Sequence, residues 1–262
     1  MAAFKDHFSA HAAQYAQARP TYPAALFDWL AAQCPRRELA WDAGCGNGQA
    51  SLALAGHFQR VHASDPSATQ IAAAPAEARI TWRVEAAERC SLPDHSADLV
   101  TVAQAYHWFE HARFAREALR VLRPGGLVAV WCYGLSEVDA AVDAVYQRLY
   151  VDTLDAYWPP ERRHIESGYR ELPFPFDEIS ERPHLYMRHD WTLGQYLAYL
   201  GSWSASRRYQ QATGRDPVAE HAPAFAEAWG DPERRRPVRW PLTLRAGRAV
   251  AVRAVPDPAT PG

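Results

Sequence analysis

From residue 39 onward, short runs with β-strand character alternate with helical runs, and this alternation limits the fold more than any other feature of the chain. β-type runs lie at residues 39–43, 60–64, 80–85, 98–103 and 127–133, with helical spacing between most of them. This order is typical of a parallel sheet joined by crossover helices. Two later β-type runs, at residues 184–190 and 238–244, raise the total to seven. The sequence therefore predicts an α/β fold with a doubly wound, mostly parallel seven-stranded sheet.

Residues 135–181 interrupt this alternation. Helical spacing at residues 138–157 is followed by a stretch rich in proline and charge that has no clear periodicity. We predict an inserted helical cap here that carries substrate specificity. The sheet domain would then comprise residues 1–134 and 182–254, with a disordered tail at 255–262. A length of 262 residues is compatible with one such domain and its accessory element.

Composition and charge exclude several classes of protein. Hydrophobic residues make up 48% of the chain and charged residues 22%, which is enough apolar material for a packed core. The formal net charge of −2 gives no electrostatic reason to expect a nucleic-acid partner. Lys5 is the only lysine. A phosphate loop of the G-x-x-x-x-G-K-[ST] type and an internal Schiff-base lysine are therefore excluded.

The cysteines and the N-terminus indicate the compartment. No C-x-x-C spacing occurs, so neither a zinc knuckle nor a redox pair is predicted. The N-terminal residues lack the apolar core of a secretory signal, and no apolar run approaches the roughly 18 residues of a membrane span. These features predict a cytoplasmic protein without a membrane partner, either a monomer or a homodimer.

A glycine-rich loop follows the first predicted strand. Asp42 lies at the strand end, and Gly44, Gly46 and Gly48 follow at alternate positions. Glycine permits positive φ and lets a ligand approach the backbone closely, so we predict a loop that holds a nucleoside-type cofactor. A simple tight turn is the alternative. In a G-x-G-x-x-G dinucleotide fingerprint the third glycine would stand where this chain has Gln49, which disfavours NAD.

Acidic residues follow the next two predicted strands. Asp65 ends the second strand about 20 residues after the glycine loop, the offset at which a carboxylate meets ribose hydroxyls in nucleotide-binding folds. Its alternative role is to cap the next helix. Ala87 and Glu88 follow the third strand, where Glu88 would accept a hydrogen bond from the exocyclic amine of a purine. An exposed loop glutamate is the alternative there.

Large polar and aromatic side chains follow the fourth predicted strand. The run begins with Gln104 and includes His107, Trp108 and Phe109. Ligands in open α/β sheets bind outside the carboxyl ends of the strands, so these side chains are predicted to face the reaction site. Packing beneath the next helix is the alternative for the two aromatic residues, and a purely structural role is the alternative for His107.

Together these segments resemble the class I S-adenosylmethionine-dependent methyltransferases. The resemblance rests on the loop at 42–48, Asp65, the Ala-Glu pair at 87–88, the His-Trp-Phe triplet at 107–109 and the Leu-Arg-Pro-Gly-Gly run at 122–126. Within that family the chain is most similar to the trans-aconitate methyltransferase-like group, which carries the same triplet and an N-terminal Tyr-x-x-x-Arg-Pro-x-Tyr-Pro, present here at residues 15–23. Many relatives have an aspartate where this chain has Ala86.

The resemblance implies S-adenosylmethionine as cofactor, no metal, and methyl transfer to a small-molecule acceptor, at a carboxylate or hydroxyl oxygen. The implied cofactor-binding residues are Tyr15, Arg19, Asp42, Gly44, Cys45, Gly46, Gly48, Asp65, Ala87, Glu88 and Gln104. Arg19 would pair with the carboxylate of the methionine part, and Gln104 would accept from its ammonium group.

On the acceptor side, His107 is the implied base or positioning residue, and Tyr22, Trp108 and Arg207 are implied substrate contacts. Arg207 and its neighbour Arg208 have a solvated helix face as their alternative. Two other functions stay open from sequence: a cofactor-binding module that has lost catalysis, and an NAD-dependent oxidoreductase.

Overall fold

The computed structural model describes residues 20–249. In that part of the chain one mixed sheet contains eight strands, and most of its central strands coincide with the predicted β-type runs. The strands are β1 Leu39–Ala43, β2 Arg60–Asp65, β3 Ile80–Val84, β4 Ala97–Ala103, β5 Leu122–Tyr133, β6 Asp177–Glu178, β7 Leu185–Trp191 and β8 Arg236–Arg248.

The strand order is β3-β2-β1-β4-β5-β8-β6, and β7 also pairs with β8. Strands β1 to β5 are parallel, whereas β8 runs antiparallel to β5. Strands β6 and β7 pair in turn along the outer edge of β8. The predicted doubly wound, mostly parallel sheet is therefore confirmed, and the two-residue β6 adds a strand to the predicted seven.

The helices cover both faces of the sheet. They are α1 Ala24–Ala32, α2 Gln49–Leu54, α3 Ala68–Ala72, α4 His111–Val121, α5 Ala140–Gln147, α6 Arg162–Glu166, α7 Leu193–Gly201, α8 Ser204–Thr213 and α9 Pro217–Trp229. A 3₁₀ turn spans Tyr106–Trp108, and a π-helical segment at Arg148–Thr153 is followed by a second 3₁₀ turn at Asp155–Tyr157.

The central strands lack polar–apolar alternation because helices cover both of their faces. On one face, Leu127 of β5 belongs to a core with α1, α2, α5 and the helices from α7 to α9. On the other face, Trp41 and Val128 pack with Phe114 of α4 and with residues near Tyr169. Helices therefore pack against the sheet on both faces, and the loops that follow the strands begin from well-packed strand ends.

The sequence describes the second half of the chain less well. The helix predicted at 138–157 ends at Gln147 and continues as π and 3₁₀ turns. Helix α7 ends at Gly201, and after extended backbone at Trp203 a separate helix, α8, begins. Helix α9 was not predicted, although Asp216 at its N-cap and Pro217 in its first turn are typical start signals.

The domain boundaries at 135 and 181 stay a prediction. Helix α5, from the predicted cap, packs against α9, and β6 joins the main sheet. The predicted disordered tail lies outside the described residues. Between residues 20 and 249 no helix is both long enough and apolar enough to cross a membrane.

Candidate active site

The carboxyl ends of β1, β2 and β4 lie at one edge of the sheet. The register pairs Ala43 of β1 with Ser64 of β2, and Asp42 of β1 with Thr101 of β4. Strand β1 is the point at which the strand order reverses, and the crevice at such a point is where open α/β sheets bind ligands. The loops carrying the predicted site residues therefore come together here.

The glycine loop is closely packed at both ends and open in the middle. Gly44, Gly46 and Gly48 have φ values of +67°, +55° and +93°. A Cβ added to Gly44 would lie 2.8 Å from the Cβ of Ala105, and one added to Gly48 would lie 2.2 Å from the ring of Trp82. At Gly46 the nearest atom would be 3.9 Å away. A ligand can therefore approach the backbone at Gly46, while the flanking glycines let the loop seat on its neighbours.

Asp42 supports this loop from below. The carboxylate is fully buried, accepting hydrogen bonds from the hydroxyls of Ser51 in α2 at 2.6 Å and Thr101 in β4 at 2.9 Å. Burial raises the pKa of Asp42 from 3.8 to about 6, and the two hydroxyl hydrogen bonds partly oppose that rise. The side chain thus ties β1, α2 and β4 together, which supports the loop-orienting role for Asp42.

Cys45 is also buried inside the loop. Its backbone N–H donates to the carbonyl of Ser64 at 3.0 Å. Burial raises the pKa of its thiol far above the ordinary value, so Cys45 stays a thiol. Its place in the site is therefore backbone support.

Asp65 links the loops that follow β1 and β2. One carboxylate oxygen accepts from the N–H of Gly46 at 2.9 Å, and the other accepts from the N–H of Ser67 at 2.8 Å. Ser67 itself caps α3 through its hydroxyl. Asp65 therefore holds the turn that precedes α3, whose cap is Ser67, and also holds the open glycine. A carboxylate offers about four lone-pair positions, so the predicted ribose contact is compatible with these bonds.

The loop after β3 is fastened to the start of α4. Ala87 is buried, and the Glu88 carboxylate accepts from the backbone N–H of Glu110, the N-cap residue of α4, at 2.9 Å. This bond places Glu88 beside the segment that contains the His-Trp-Phe triplet. The predicted adenine contact of Glu88 stays a proposal.

Gln104 joins the ends of β4 and β5. Its side-chain oxygen accepts from the N–H of Tyr133 at 2.9 Å, and its backbone has a φ of +58°. An L-residue in this region is strained, and such strain concentrates at functional sites. The side-chain oxygen of Gln104 is the atom predicted to accept a hydrogen bond from the cofactor ammonium. It therefore already accepts one hydrogen bond from the backbone.

The His-Trp-Phe triplet begins within the 3₁₀ turn that follows β4. The turn is anchored by Tyr106, which is fully buried and donates its hydroxyl hydrogen to the carbonyl of Pro173. Trp108 is half-buried with its ring 4.7 Å from that of His107. Phe109 packs 5.1 Å from Phe114 of α4, so core packing explains Phe109.

His107 is connected to the segment between β5 and β7. Its Nδ1 lies 2.9 Å from the hydroxyl oxygen of Tyr169. Burial is the main cause that lowers the pKa of His107 to about 3, and the positive charge of Arg162 is the second. The imidazole is therefore neutral at physiological pH. Tyr169 has a φ of +61°, so strained residues flank the triplet on both sides.

Comparison with known proteins decides the family. A methyltransferase domain model matches residues 41–130. A protein of Dictyostelium discoideum assigned as a methyltransferase is 34% identical over 230 residues, covering 86% of this chain and 87% of that protein. The chain belongs to the class I S-adenosylmethionine-dependent methyltransferases.

Other relatives agree with this assignment. A solved structure assigned as a type II methyltransferase of Anaeromyxobacter dehalogenans has 52% sequence identity and a TM-score of 0.85, covering 88% of this chain and 98% of that chain. An uncharacterized methyltransferase of Mycobacterium tuberculosis is 39% identical over 129 residues, covering 47% of this chain and 51% of that protein. The NAD-dependent alternative is thereby excluded, and S-adenosylmethionine is the cofactor of the family. The trans-aconitate-like subgroup stays a prediction.

The glycine loop of this methyltransferase fits such a cofactor. The open side of Gly46 and the carboxylate of Asp65 adjoin each other at the strand ends. Gln49 donates to the carbonyl of Pro20 at 2.9 Å, so the chain entering α1 runs beside the loop. The predicted cofactor residues Tyr15 and Arg19 lie outside the described residues. From residue 20 to 249, no three His, Cys, Asp or Glu side chains are grouped to hold a metal ion.

Arg162 was not singled out from the sequence, and it lies in α6, the helix that precedes Tyr169. Arg162, in α6, donates from Nε to the hydroxyl oxygen of Tyr150 at 3.0 Å, and its guanidinium lies 5.6 Å from the Tyr150 ring centroid and 5.0 Å from that of Trp158. The stretch containing Arg162 has no hydrophobic periodicity, which is why it escaped notice. No helical spacing relates Arg162 to Trp158, because the backbone is extended at Trp158 and α6 begins only at Arg162.

The remaining predicted acceptor residues occupy different places. Tyr22 packs edge-on to Trp131 of β5, with ring centroids 5.6 Å apart, near the carboxyl end of that strand. Arg207 is half-buried in α8, and within residues 20–249 its side chain has no hydrogen-bond or ion-pair partner. No hydrogen bond or ring contact among the described residues joins Arg207 to His107. Its predicted substrate contact stays a proposal.

Proposed function

We propose that this methyltransferase transfers a methyl group to an oxygen of a small molecule, preferentially a carboxylate oxygen, bound beside the His107–Tyr169 pair. The proposal rests on His107, a half-buried residue whose Nδ1 is held by the hydroxyl of Tyr169 and whose pKa burial lowers to about 3. With a pKa near 3, its imidazole is too weak a base to draw a proton efficiently from a hydroxyl or an ammonium group. A carboxylate is nucleophilic without any base.

The bound cofactor supplies an electrophilic methyl group on a sulfonium centre. A lone pair of the acceptor oxygen forms the new O–CH₃ bond while the S–CH₃ bond breaks and its electron pair stays on sulfur. The negative charge of the carboxylate and the positive charge of the sulfonium both disappear, and no proton moves. The protein therefore has to align the two partners and exclude water.

The described residues divide this work. Gly46 and Asp65, with Glu88 and Gln104 beside them, hold the cofactor in the proposal. Tyr169 fixes the ring plane of His107 through Nδ1, so that His107 acts as a positioning residue at the acceptor. Trp108 and Tyr22 are the proposed apolar walls.

The test starts from radiolabelled S-adenosylmethionine and a panel of carboxylic acids, phenols and amines. We expect label in products from acids, and its release as methanol in mild base, because methyl esters hydrolyse whereas aryl ethers and methylamines do not. Transfer only to phenols or amines contradicts the carboxylate assignment. Transfer to none of the panel, despite binding of S-adenosylhomocysteine, favours the module that has lost catalysis.

The cofactor site has its own test. Asp65→Asn should weaken binding of S-adenosylhomocysteine about 10- to 100-fold, since a buried hydrogen-bonded carboxylate contributes about 1–3 kcal/mol. Isothermal calorimetry measures the change. Asp216→Asn is the matched control, because Asp216 also accepts from two backbone N–H groups at a helix start but lies in α9. Unchanged affinity in Asp65→Asn would reduce Asp65 to a structural cap.

A further inference from the structure

We propose that Arg162 binds an anionic group of the methyl acceptor and thereby selects acidic acceptors. This inference rests on the proposed function and names the residue that determines its specificity. The guanidinium is half-buried. No acidic side chain of the described residues lies within 4.0 Å of it, in contrast to Arg120, Arg123 and Arg245, each of which pairs with a carboxylate.

The hydrogen bonds of Arg162 leave most of its donors available. A guanidinium carries five N–H donors. Nε donates to the Tyr150 hydroxyl, and Nη1 and Nη2 make no hydrogen bond within residues 20–249. A half-buried cation gains from a nearby counter-charge, and no carboxylate of the described residues lies within 4.0 Å of this guanidinium to supply it. The planar fork of Nη1 and Nη2 matches a carboxylate in bidentate geometry.

Neighbouring groups fix the direction of this fork. Tyr150 donates its hydroxyl hydrogen to the carboxylate of Glu166, which leaves a lone pair of the same oxygen to accept from Arg162 Nε. Trp158 in turn donates from its indole nitrogen to the carbonyl of Tyr150 at 3.3 Å, and both rings lie against the guanidinium. Glu166 is the only acidic residue among these contacts. It is exposed, and it accepts a hydrogen bond from Tyr150 rather than from Arg162.

The position of Arg162 places it over the acceptor side of the site. Its positive charge is one cause of the lowered pKa of His107, after burial, and it also acts on the hydroxyl of Tyr169. The carbonyl of His164, also in α6, accepts from the backbone N–H of Tyr169 at 2.8 Å, so α6 adjoins the His107–Tyr169 pair. An anion held by its fork would lie next to the positioning imidazole, where the proposed function requires the acceptor.

The chain offers a matched control in the same helix. Arg163 carries the same charge at the next position but is exposed. Arg163→Met therefore removes one positive charge from α6 without touching the proposed fork. Arg162→Lys keeps the charge and loses the bidentate geometry. Arg207→Met tests the other arginine proposed to contact the acceptor.

The experiment is calorimetry on protein saturated with S-adenosylhomocysteine, using three acids and their uncharged amides: benzoate and benzamide, cinnamate and cinnamamide, succinate and succinamide. We expect wild type to bind at least one acid at least tenfold more tightly than its amide. Arg162→Met should remove this preference, Arg162→Lys should retain part of it, and Arg163→Met should leave it unchanged. Binding of S-adenosylhomocysteine should be equal in all variants.

The contrary outcomes are distinct. If wild type binds no acid better than its amide, or if the preference survives in Arg162→Met, the inference is wrong. Loss of the preference in Arg207→Met alone would transfer the role to Arg207 and overturn it as well. If Arg162→Met fails to fold, as judged by loss of S-adenosylhomocysteine binding, Arg162→Lys decides, and an unchanged acid preference there overturns the bidentate fork. Failure of wild type to bind S-adenosylhomocysteine would instead reject the proposed function.

Discussion

The two sides of the active site are built by different means. On the cofactor side, Asp42 and Asp65 accept hydrogen bonds from groups at neighbouring strand ends and helix starts. On the acceptor side, ring packing dominates, with Trp203 lying 5.5 Å from Tyr146 and 5.3 Å from Trp158. A cofactor site made of backbone and carboxylates tolerates few changes, whereas an aromatic wall can be reshaped by exchanging side chains. This difference suits one cofactor combined with variable acceptors.

The largest effect is expected where the cofactor side is most tightly packed. Gly48→Ala should lower the free energy of unfolding by about 2–5 kcal/mol, because positive φ disfavours alanine and its Cβ would overlap the ring of Trp82. Gly46→Ala has positive φ but open space, so it should cost only about 1–2 kcal/mol. Urea denaturation measures both.

Affinity for S-adenosylhomocysteine should rank the same two variants in the reverse order from stability, with the specific loss in Gly46→Ala. Gly46→Ala should fold and lose affinity for S-adenosylhomocysteine, because its methyl group would fill the open side of the loop. Equal losses of stability in the two variants would mean that the loop is not seated on Trp82. Full affinity in Gly46→Ala would place the cofactor elsewhere.

The buried carboxylate of Asp42 gives the cofactor side a pH signature. Its folded-state pKa of about 6 lies above the usual value of 3.8, so the protonated form is favoured by folding. Its contribution to stability is therefore fully present below about pH 4 and is lost as the pH rises through 6. Relative to Asp42→Asn, wild type should lose on the order of 3 kcal/mol between pH 4 and 7.

The measurement is the difference between wild-type and Asp42→Asn unfolding free energies across that pH range. Ser51→Ala should move the transition to higher pH, because the Ser51 hydroxyl stabilises the charged carboxylate. If the difference between the two unfolding free energies does not change with pH, Asp42 is solvated. The contrast between the two sides of the site would then be weaker.

The sequence predicted correctly that Asp42 and Asp65 lie at strand ends, because the determinants of those positions are local. The alternation of strands and helices placed Asp42, the glycines and Asp65 at strand ends, and parallel pairing then brings those ends together. The functional roles proposed for these residues stay predictions. In contrast, the hydrogen bond between His107 and Tyr169 joins residues 62 positions apart, and no periodicity in either segment encodes it.

The acceptor side resisted prediction for a related reason. The helical spacing of apolar residues predicted a helix to residue 157, whereas the structure changes to π geometry at Arg148, and Tyr150 there contacts Trp158 and Trp203. Arg162 becomes informative only when its neighbours are known, because an arginine in a charged stretch is ordinarily solvated. Tertiary packing overrode local pattern on this side.

The smallest effect is expected at the hydrogen bond between His107 and Tyr169, on the acceptor side. His107→Gln should lower kcat/KM for a carboxylate acceptor about tenfold, the value of roughly one hydrogen bond, and Tyr169→Phe should lower it by a similar or smaller factor. Because burial holds the pKa of His107 near 3, the pH profile of kcat/KM should show no ionisation of this residue between about pH 5 and 8, and its shape should be the same in both variants. If the pH profile of kcat/KM in the wild type instead shows an ionisation near pH 6.5, and this ionisation disappears in His107→Gln, His107 acts as a general base. The acceptor would then need deprotonation, which favours a hydroxyl over a carboxylate.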